Sequence, residues 1–257
     1  MSKLLEGKNA LVLGIANRWS LAYAIAKSFV QEDANLILTY QGERQKLTVE
    51  ELAEELKPGT TVRPCNVTKP EEVEALVTAL REGPGRIDTL VHSIAFANPE
   101  DLRRPFIETS KDGFLLAHEV SVYSLVAVAK AVAPLMTEGG SIITLSYLGA
   151  VRVLPNYNVM GVAKAALEST VRYLAHDLGS SNVRVNAISS GPIKTASARG
   201  IKDLSKMLDS VAAHSPLRRN TDPAEVADTA LFLASHLGRG VTGNVIYVDA
   251  GYHIMGI

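Results

Sequence analysis

Cysteine is almost absent from this sequence, and its scarcity excludes several classes of protein. Cys65 is the single cysteine among 257 residues, so no internal disulfide can form, which suits a reducing cytoplasm. The six histidines do not fall at metal-ligand spacings and Cys65 has no cysteine partner, so we expect no metal site. The first nine residues lack the long apolar run of a signal peptide, and we therefore expect a cytoplasmic protein.

An excess of charge of one sign and a long hydrophobic run are also missing. The 26 basic and 27 acidic side chains give a formal net charge of −1, without the positive excess of a dedicated nucleic-acid binder. No apolar run approaches the roughly 20 residues that cross a bilayer. We therefore expect neither a nucleic-acid partner nor a membrane association. Apolar residues still make up 47% of the chain, which is enough for a full core.

Short apolar runs alternate with longer helical patterns along nearly the whole chain. Several runs are apolar throughout rather than alternating, as in parallel strands that are covered on both faces. No internal repeat and no linker rich in Gly, Ser or Pro marks a second domain. The pattern predicts one doubly wound α/β domain of the Rossmann type over residues 1–257, with a seven-stranded parallel sheet. The predicted strands are 10–13, 36–39, 61–65, 89–93, 141–146, 183–188 and 245–248.

Capping boxes, in which Ser, Thr or Asp precedes Glu by three residues, mark helix starts. Residues 48–51, 68–71 and 222–225 fit this pattern. In the last of them Pro223 stands at the first helical position, where proline is favoured. We therefore predict that helices begin at these three places.

Residues 191–219 break the alternation after the sixth strand. They predict one or two short helices beyond the carboxyl edge of the sheet, where α/β proteins bind ligands. Loops of this length in compact domains are often lids, and the alternative is a simple surface excursion. We expect residues 195–219 to form a substrate-binding segment.

The turn after the first predicted strand has features of a phosphate site. Gly14 ends the strand, and Ser20 can cap the helix that follows. Backbone N–H groups and the positive helix end would then face a pyrophosphate. The G-x-G-x-x-G fingerprint is absent, because Gly14 is the only glycine in this turn. A dinucleotide site and a purely structural turn therefore both stay open.

The ends of the next strands would complete such a site. An acidic residue after the second strand would bind both ribose hydroxyls and a basic residue would receive a 2′-phosphate, whereas Gln41 does neither strongly. Arg44 keeps NADPH possible. Asn66 follows the third strand and can bond to the adenine edge. His92 ends the fourth strand, and we expect a buried histidine whose hydrogen bonds are satisfied by its neighbours.

Tyr157 and Lys164 stand seven residues apart, nearly two turns of a helix, so their side chains would project from one face. The lysine would favour the phenolate and lower the tyrosine pKa. Such a pair can donate a proton or a strong hydrogen bond to a carbonyl oxygen that gains negative charge. Tyr147, ten residues upstream, either orients the substrate or forms an aromatic lid with no chemical role.

Taken together, these segments resemble the short-chain dehydrogenase/reductases, and within them the bacterial enoyl-[acyl-carrier-protein] reductases of dissociated fatty-acid synthesis. The commoner branch of that superfamily has a catalytic serine where this chain has Thr144, and a glycine-rich turn that is missing here, as it is in the enoyl reductases. The resemblance runs the length of the chain. It is carried by residues 14–21 (GIANRWSL), 92–97 (HSIAFA), 144–149 (TLSYLG), 155–164 (PNYNVMGVAK), 190–193 (SGPI) and 247–253 (YVDAGYH).

The resemblance implies functions for individual residues. Catalysis would fall to Tyr147, Tyr157 and Lys164. Asn66 stands where the family usually has aspartate, which weakens the implied adenine contact. The residues implied around an NADH cofactor are Gly14, Ser20, Leu21, Gln41, Asn66, Val67, Ile94, Lys164, Ile193 and Thr195. Those implied around the acyl chain are Ala97, Tyr147, Tyr157, Met160, Ala196, Ile201 and Met207.

The implied reaction is hydride transfer from NADH to the β-carbon of a trans-2-enoyl thioester carried by acyl carrier protein. Tyr157 would donate to the thioester oxygen, and Lys164 would bind the nicotinamide ribose. The α-carbon proton would come from Tyr157 or from a water relay. NADH is expected over NADPH because Gln41 offers no positive charge to a 2′-phosphate.

The family also implies a homotetramer, to which the apolar segments 120–136 and 160–178 could contribute. We further expect residues 195–208 to close over bound ligands, with Arg199, Lys202 and Lys206 receiving the acidic carrier protein. Two other functions stay open. A 3-ketoacyl or other carbonyl reductase would prefer a serine near position 144, and a non-catalytic nucleotide-sensing protein would tend to lose the tyrosine or the lysine.

Overall fold

The computed structural model describes residues 3–195 and 204–256, apart from the side chain of Leu204. Its seven strands all lie where the apolar runs predicted them, with ends that differ by at most two residues. Most of their side chains are buried, as expected for strands covered on both faces. The strands are β1 (Asn9–Leu13), β2 (Asn35–Tyr40), β3 (Thr61–Pro64), β4 (Thr89–His92), β5 (Gly140–Tyr147), β6 (Val183–Ser190) and β7 (Val245–Val248).

The α-helices of the described residues alternate with these strands. Short 3-10 turns lie at Phe106–Glu108, Ala133–Leu135, Leu148–Ala150, His236–Gly238 and Tyr252–Ile254, and a π-helical turn at Glu119–Tyr123. The α-helices are α1 (Leu21–Gln31), α2 (Glu43–Leu56), α3 (Pro70–Glu82), α4 (Pro99–Arg103), α5 (Lys111–His118), α6 (Ser124–Val132), α7 (Asn158–Gly179), α8 (Leu204–His214) and α9 (Pro223–Ala234).

The sheet is parallel throughout, in the order β3-β2-β1-β4-β5-β6-β7. This confirms the doubly wound fold. One hydrophobic layer lies between the sheet and α1, α2 and α9, and the other between the sheet and α3, α6 and α7. The strand order reverses between β1 and β4, and ligands of such sheets bind at that switch point, beyond the carboxyl ends of the strands.

Only one of the three predicted capping boxes forms. Asp222 accepts a hydrogen bond from the Ala224 N–H, and the Glu225 side chain accepts one from the Asp222 N–H. The capping box predicted at 48–51 does not form. The residues upstream of Thr48 are good helix formers, and α2 already begins at Glu43. The box at 68–71 does not form either, although a helix does begin there, at Pro70.

Thr68 does not cap α3, because the residue before the helix is Lys69 and the Thr68 hydroxyl points back to Asn66. It donates to the Asn66 side chain over 2.9 Å, and α3 begins later, at Pro70. Proline fits that position because the first helical residues have no intrahelical acceptor for their N–H groups.

The segment Lys111–Leu135 forms one continuous helical stretch of 25 residues. By length and mean hydropathy it could cross a membrane, so the expectation that no such run exists was too strong. Half of its most apolar window is buried against the rest of the fold, as in the core helix of a globular protein. The helix therefore gives only weak evidence for a membrane span.

Candidate active site

A groove crosses the carboxyl ends of the strands at the switch point. It consists of two cavities of about 410 Å³ and 400 Å³. Both cavities are lined by Gly14, Ala16, Ser93, Ile94, Ala95 and Phe96, so they meet above β1 and β4. The first, which Tyr147, Tyr157 and Lys164 line, is called the reaction cavity. The second, which Gln41 and Asn66 line, is called the adenosine cavity.

Gly14 closes the turn at the centre of the groove. Its φ is +96°, and a Cβ atom there would lie 2.0 Å from the Ser93 carbonyl oxygen. The turn therefore needs a glycine both for its left-handed backbone and for its close approach to the end of β4. One glycine is enough here, although the usual fingerprint has three.

Ser20 caps α1 as predicted. Its hydroxyl accepts from the Tyr23 N–H over 3.3 Å and donates to the Asn17 carbonyl over 2.7 Å. Ser20 and Leu21 line the reaction cavity, so the N-terminus of α1 opens on the groove. First-turn N–H groups and the positive end of the helix suit a pyrophosphate, and this part of the chain fits a dinucleotide.

The adenosine cavity contains the predicted residues from the ends of β2 and β3. It is lined by Gln41, Asn66 and Val67, together with Cys65. The Asn66 side-chain oxygen accepts from the Thr68 N–H and hydroxyl, so its amide NH₂ is the part that can meet an adenine edge. Burial raises the pKa of the Cys65 thiol to about 12, which keeps it neutral and unreactive.

Tyr147, Tyr157 and Lys164 meet at the other end of the groove, where all three line the reaction cavity. The two phenol rings contact each other edge to face, with centroids 4.9 Å apart. Gly149 makes room for this pair, because a Cβ atom there would lie 2.4 Å from the Tyr157 ring. Lys164 is buried, and its ammonium group donates to the Leu145 carbonyl over 2.7 Å.

The prediction that Lys164 lowers the pKa of Tyr157 was wrong. Burial raises the pKa of Tyr157, and the neighbouring Tyr147 raises it further. Tyr157 is the residue before the first turn of α7 rather than part of the helix. Burial likewise raises the pKa of Tyr147. Both phenols are therefore protonated at neutral pH and act as hydrogen-bond donors.

His92 is buried and bonded by its neighbours, as predicted. Its ring nitrogens lie 2.8 Å from the Ser124 hydroxyl and 3.3 Å from the Thr144 hydroxyl. Burial, and secondly the charge of Lys164, lower the pKa of His92 to about 3, so the ring is neutral. The Thr144 hydroxyl also donates to the His92 carbonyl over 3.1 Å, and the whole side chain is buried. The Thr144 hydroxyl therefore bonds within the sheet and does not face the cavity.

The walls of the reaction cavity are largely apolar. Ala97, Met160 and Met207 line it, and the Tyr147 hydroxyl lies 3.4 Å from the Met207 sulfur. Ile94, Ile193 and Thr195 line it as well. The two remaining predicted contacts, Ala196 and Ile201, lie outside the described residues, as does most of the predicted lid.

Sequence reasoning missed Ser146, which lines this cavity, and Ser121, which supports its wall. The Ser121 hydroxyl is buried in the π-helical turn, where it accepts from the Phe96 N–H over 3.0 Å and lies 3.2 Å from the Phe96 carbonyl. It thereby fixes the loop that forms one wall. Ser146 lines the floor and bonds to Glu168, which lies one turn beyond Lys164. No local pattern distinguishes these two from ordinary helix and strand residues. Within residues 3–195 and 204–256, no three His, Cys, Asp or Glu side chains converge on a possible metal position.

Comparison with known proteins agrees with this geometry. A family model described as Enoyl-(Acyl carrier protein) reductase matches residues 14–253. The chain is 52% identical to the enoyl-[acyl-carrier-protein] reductase [NADH] of Bacillus subtilis, over 99% of each chain. It is 48% identical to the enoyl-[acyl-carrier-protein] reductase [NADPH] of Staphylococcus aureus, over 97% of this chain and 98% of that one.

The fold is similar to that of solved members of the same group. The crystal structure of the Bacillus cereus enoyl-acyl carrier protein reductase, with NADP+ and indole naphthyridinone, superimposes with a TM-score of 0.98. The two sequences are 52% identical, over 99% of this chain and all of the other.

Proposed function

The chain belongs to the enoyl-[acyl-carrier-protein] reductase family, and on that premise we propose the part that each residue of the groove plays. It is an NADH-dependent enoyl reductase of fatty-acid synthesis, which reduces trans-2-enoyl thioesters on acyl carrier protein. When bound, the reduced nicotinamide supplies the hydride that adds to the β-carbon. The chain's own residues bind, orient and protonate.

One observation carries the proposal. The two phenols of Tyr147 and Tyr157 pack together beside Lys164, whereas the Thr144 hydroxyl is buried and bonded to His92. A carbonyl reductase of this superfamily would use a hydroxyl near position 144 beside its substrate. Here that hydroxyl is engaged in the strand, which argues against the carbonyl reductase and supports reduction of the carbon–carbon double bond.

Tyr157 stabilises the negative charge that develops on the thioester oxygen. Its raised pKa keeps the phenol protonated, so it donates a hydrogen bond as the enolate forms. A donor in a buried cavity is worth more than one in water, because the surroundings screen the charge less. Tyr147, held against Tyr157 and Met207, orients the thioester.

Lys164 and the first turn of α1 hold the nucleotide. The Lys164 ammonium group faces the ribose hydroxyls of the nicotinamide half, and the N-terminus of α1 binds the pyrophosphate. Gln41 and Asn66 contact the adenosine half. Because Gln41 and Gly42 carry no charge, NADH binds better than NADPH, and the cation nearest to them in the sequence is the exposed Arg44 on α2.

Steady-state oxidation of the nicotinamide tests the proposal. With crotonyl-coenzyme A we expect turnover with NADH at a higher kcat/KM than with NADPH, and little turnover with acetoacetyl-coenzyme A. Equal or faster reduction of the acetoacetyl thioester would make the protein a carbonyl reductase. Nucleotide binding without turnover of either thioester would favour the sensing protein.

We further propose that α8 and the residues before it receive the carrier protein. Lys206 lies on α8 beside Met207, which lines the reaction cavity, whereas Lys202 and Arg199 lie outside the described residues. A cationic surface at the cavity would attract an acidic carrier and speed their encounter.

Charge reversal tests the docking surface. Exchanging Lys202 and Lys206 for Glu should raise KM for the carrier-linked substrate about three- to tenfold and leave KM for the coenzyme A thioester unchanged. Lys27→Glu, at an exposed position of α1, is the matched control. An equal change for both substrates would contradict docking at α8.

A homotetramer in the cytoplasm completes the proposal. Cys65 is a lone buried cysteine, which suits a reducing compartment. Helices α5 and α7 and the π-helical turn expose large apolar side chains that association would cover, namely Phe114, Leu115, Tyr123, Val162 and Tyr173.

A further inference from the structure

A buried carboxylate lies one helical turn beyond the proposed catalytic lysine. Lys164 and Glu168 stand one turn apart on α7, and each is only 6% exposed. A buried charge is costly unless an opposite charge or hydrogen bonds compensate it. The mechanism above gives Glu168 no part, so its burial beside Lys164 calls for an explanation.

The two side chains form hydrogen bonds with consecutive residues of β5. Lys164 donates to the Leu145 carbonyl over 2.7 Å, and Glu168 accepts from the Ser146 hydroxyl over 2.5 Å. Tyr147 is the next residue of the strand. The pair therefore fixes the end of β5 from which the first of the two phenols enters the reaction cavity.

The space around this carboxylate is polar although it is buried. Ser189 pairs with Ser146 across β5 and β6, so both side chains point to the same face of the sheet. The Ser189 hydroxyl is fully buried and makes no hydrogen bond within the described residues. Tyr247 pairs with Ser189 from β7, and its pKa is raised by burial and then by the negative charge of Glu168.

The charges around Lys164 oppose one another. Burial lowers its pKa to about 8, and the negative charge of Glu168 acts against that effect. His92 approaches from β4 but is neutral, and Tyr157 is a protonated phenol. Among the described residues, Glu168 is therefore the charged group that favours the ammonium form of Lys164.

The ionisation of Glu168 depends in turn on its own neighbours. Burial raises the pKa of Glu168, and three groups lower it: the Ser146 hydroxyl on β5, and Arg172 and Lys164 on α7. Arg172 is exposed at the surface, so Lys164 is the buried cation that this carboxylate accompanies.

We propose that Glu168 is a positioning residue that keeps Lys164 in its ammonium form and holds the end of β5 in place for Tyr147. Its meaning for catalysis rests on the proposed function. The protonation state of Lys164 can nevertheless be measured without substrate, cofactor or turnover.

Competitive labelling with acetic anhydride measures that state, because only the deprotonated amine reacts. Acetylation of Lys164 is followed against pH by peptide mass spectrometry in wild type, Glu168→Gln and Asp177→Asn. Asp177 is the matched control, since it is an exposed carboxylate on the same helix. We expect the labelling midpoint of Glu168→Gln to fall by about one pH unit, and that of Asp177→Asn to stay at the wild-type value.

The affinity for NADH, measured by fluorescence titration, gives a second readout. If the ammonium form binds the ribose, the Kd of Glu168→Gln should rise about fivefold near pH 8 and match wild type near pH 6, where both lysines are charged. A purely structural defect would weaken binding equally at both pH values. An unchanged labelling midpoint with an unchanged pH profile would overturn the proposal.

Ser146→Ala guards against a Glu168 variant that fails to fold. Loss of this hydroxyl removes the hydrogen bond that holds the Glu168 carboxylate in place, so the labelling midpoint of Lys164 should fall by a smaller amount. A midpoint that stays fixed in Ser146→Ala would also overturn the proposal. Absence of enoyl reduction by the wild type would instead refute the proposed function and leave the labelling result intact.

Discussion

Burial sets the protonation states of the side chains at the end of the groove. It raises the pKa of both Tyr147 and Tyr157 and lowers that of Lys164 to about 8. At neutral pH the cavity therefore contains two neutral phenols and one ammonium group. This combination suits a reaction in which negative charge appears on a substrate oxygen, because every group can donate and none is an anion.

Replacing Tyr157 by Phe should lower kcat while leaving NADH affinity nearly unchanged. The hydroxyl acts on oxyanion charge that exists only in the transition state, and loss of such a donor costs about one to three orders of magnitude in rate. Stopped-flow and steady-state measurement of nicotinamide oxidation, with a separate Kd for NADH, checks this. A near-normal kcat would mean that Tyr147 or water, rather than Tyr157, stabilises the oxyanion.

Gly149→Ala tests the packing that holds Tyr157 in place. The new methyl group would have to lie where the Tyr157 ring now lies, 2.4 Å from its edge, so the ring must move. We expect kcat to fall about tenfold or more, because a misplacement of about 1 Å is costly in catalysis. Gly179→Ala, at the end of α7 where a Cβ atom meets nothing within 4 Å, is the control and should retain full activity.

At the scale of elements, the N-terminal cap of α9 shows how a few local residues stabilise a helix. The capping box of α9 is reinforced by Arg219, whose guanidinium donates to both oxygens of Glu225 over 2.8 and 2.5 Å. This contact, and the hydrogen bond from the Asp222 N–H, lower the pKa of Glu225 from 4.5 to about 2. A carboxylate with a lowered pKa stabilises the fold above its unfolded-state pKa, and that contribution is lost as the pH falls toward 2.

Glu225→Gln should therefore lower Tm at neutral pH and converge with wild type below about pH 2 to 3. The effect at neutral pH should be small, on the order of 1 kcal/mol or less, because solvent screens this partly exposed pair. Calorimetry across pH 2 to 7, with the exposed Glu50→Gln on α2 as control, measures it. A destabilisation independent of pH would show that the charge of Glu225 does not contribute to this cap.

At the scale of the whole molecule, α5, α7 and the π-helical turn between α5 and α6 expose large apolar residues. Tyr173 on α7 is 72% exposed and Tyr123, in the turn before α6, is 63% exposed. Exposed apolar side chains on elements that contact one another can form an interface between proteins. In closed symmetric oligomers the same surface serves both subunits, so one helix pair can bury itself against its copy.

Sedimentation velocity at micromolar concentration should give a stable tetramer. The double substitution Tyr123→Lys and Tyr173→Lys should shift it toward smaller species, because the charges must be desolvated on association. Leu47→Lys, at a similarly exposed site on α2, should leave the tetramer intact. A wild-type chain that sediments as a monomer would refute the tetramer, and a tetramer unaffected by the double substitution would move the interface elsewhere.

The sequence by itself determined the sheet and the outline of the groove. Apolar runs and turn residues are local features, so all seven strands could be predicted. The chemistry of Ser20 and of the box at Asp222 is local too, because a cap bonds to residues only two or three positions away. The predicted site residues within the described ranges line the groove because parallel strands bring their carboxyl ends to one edge.

Only the tertiary structure decided the protonation states and the partners of the polar groups. Thr144 bonds to His92 across 52 positions of the chain, and Glu168 reaches Ser146 across 22. A spacing of seven residues placed Tyr157 and Lys164 near each other, yet it gave the wrong direction for the tyrosine pKa. Desolvation depends on every element packed around a group, and no short stretch of sequence contains that information.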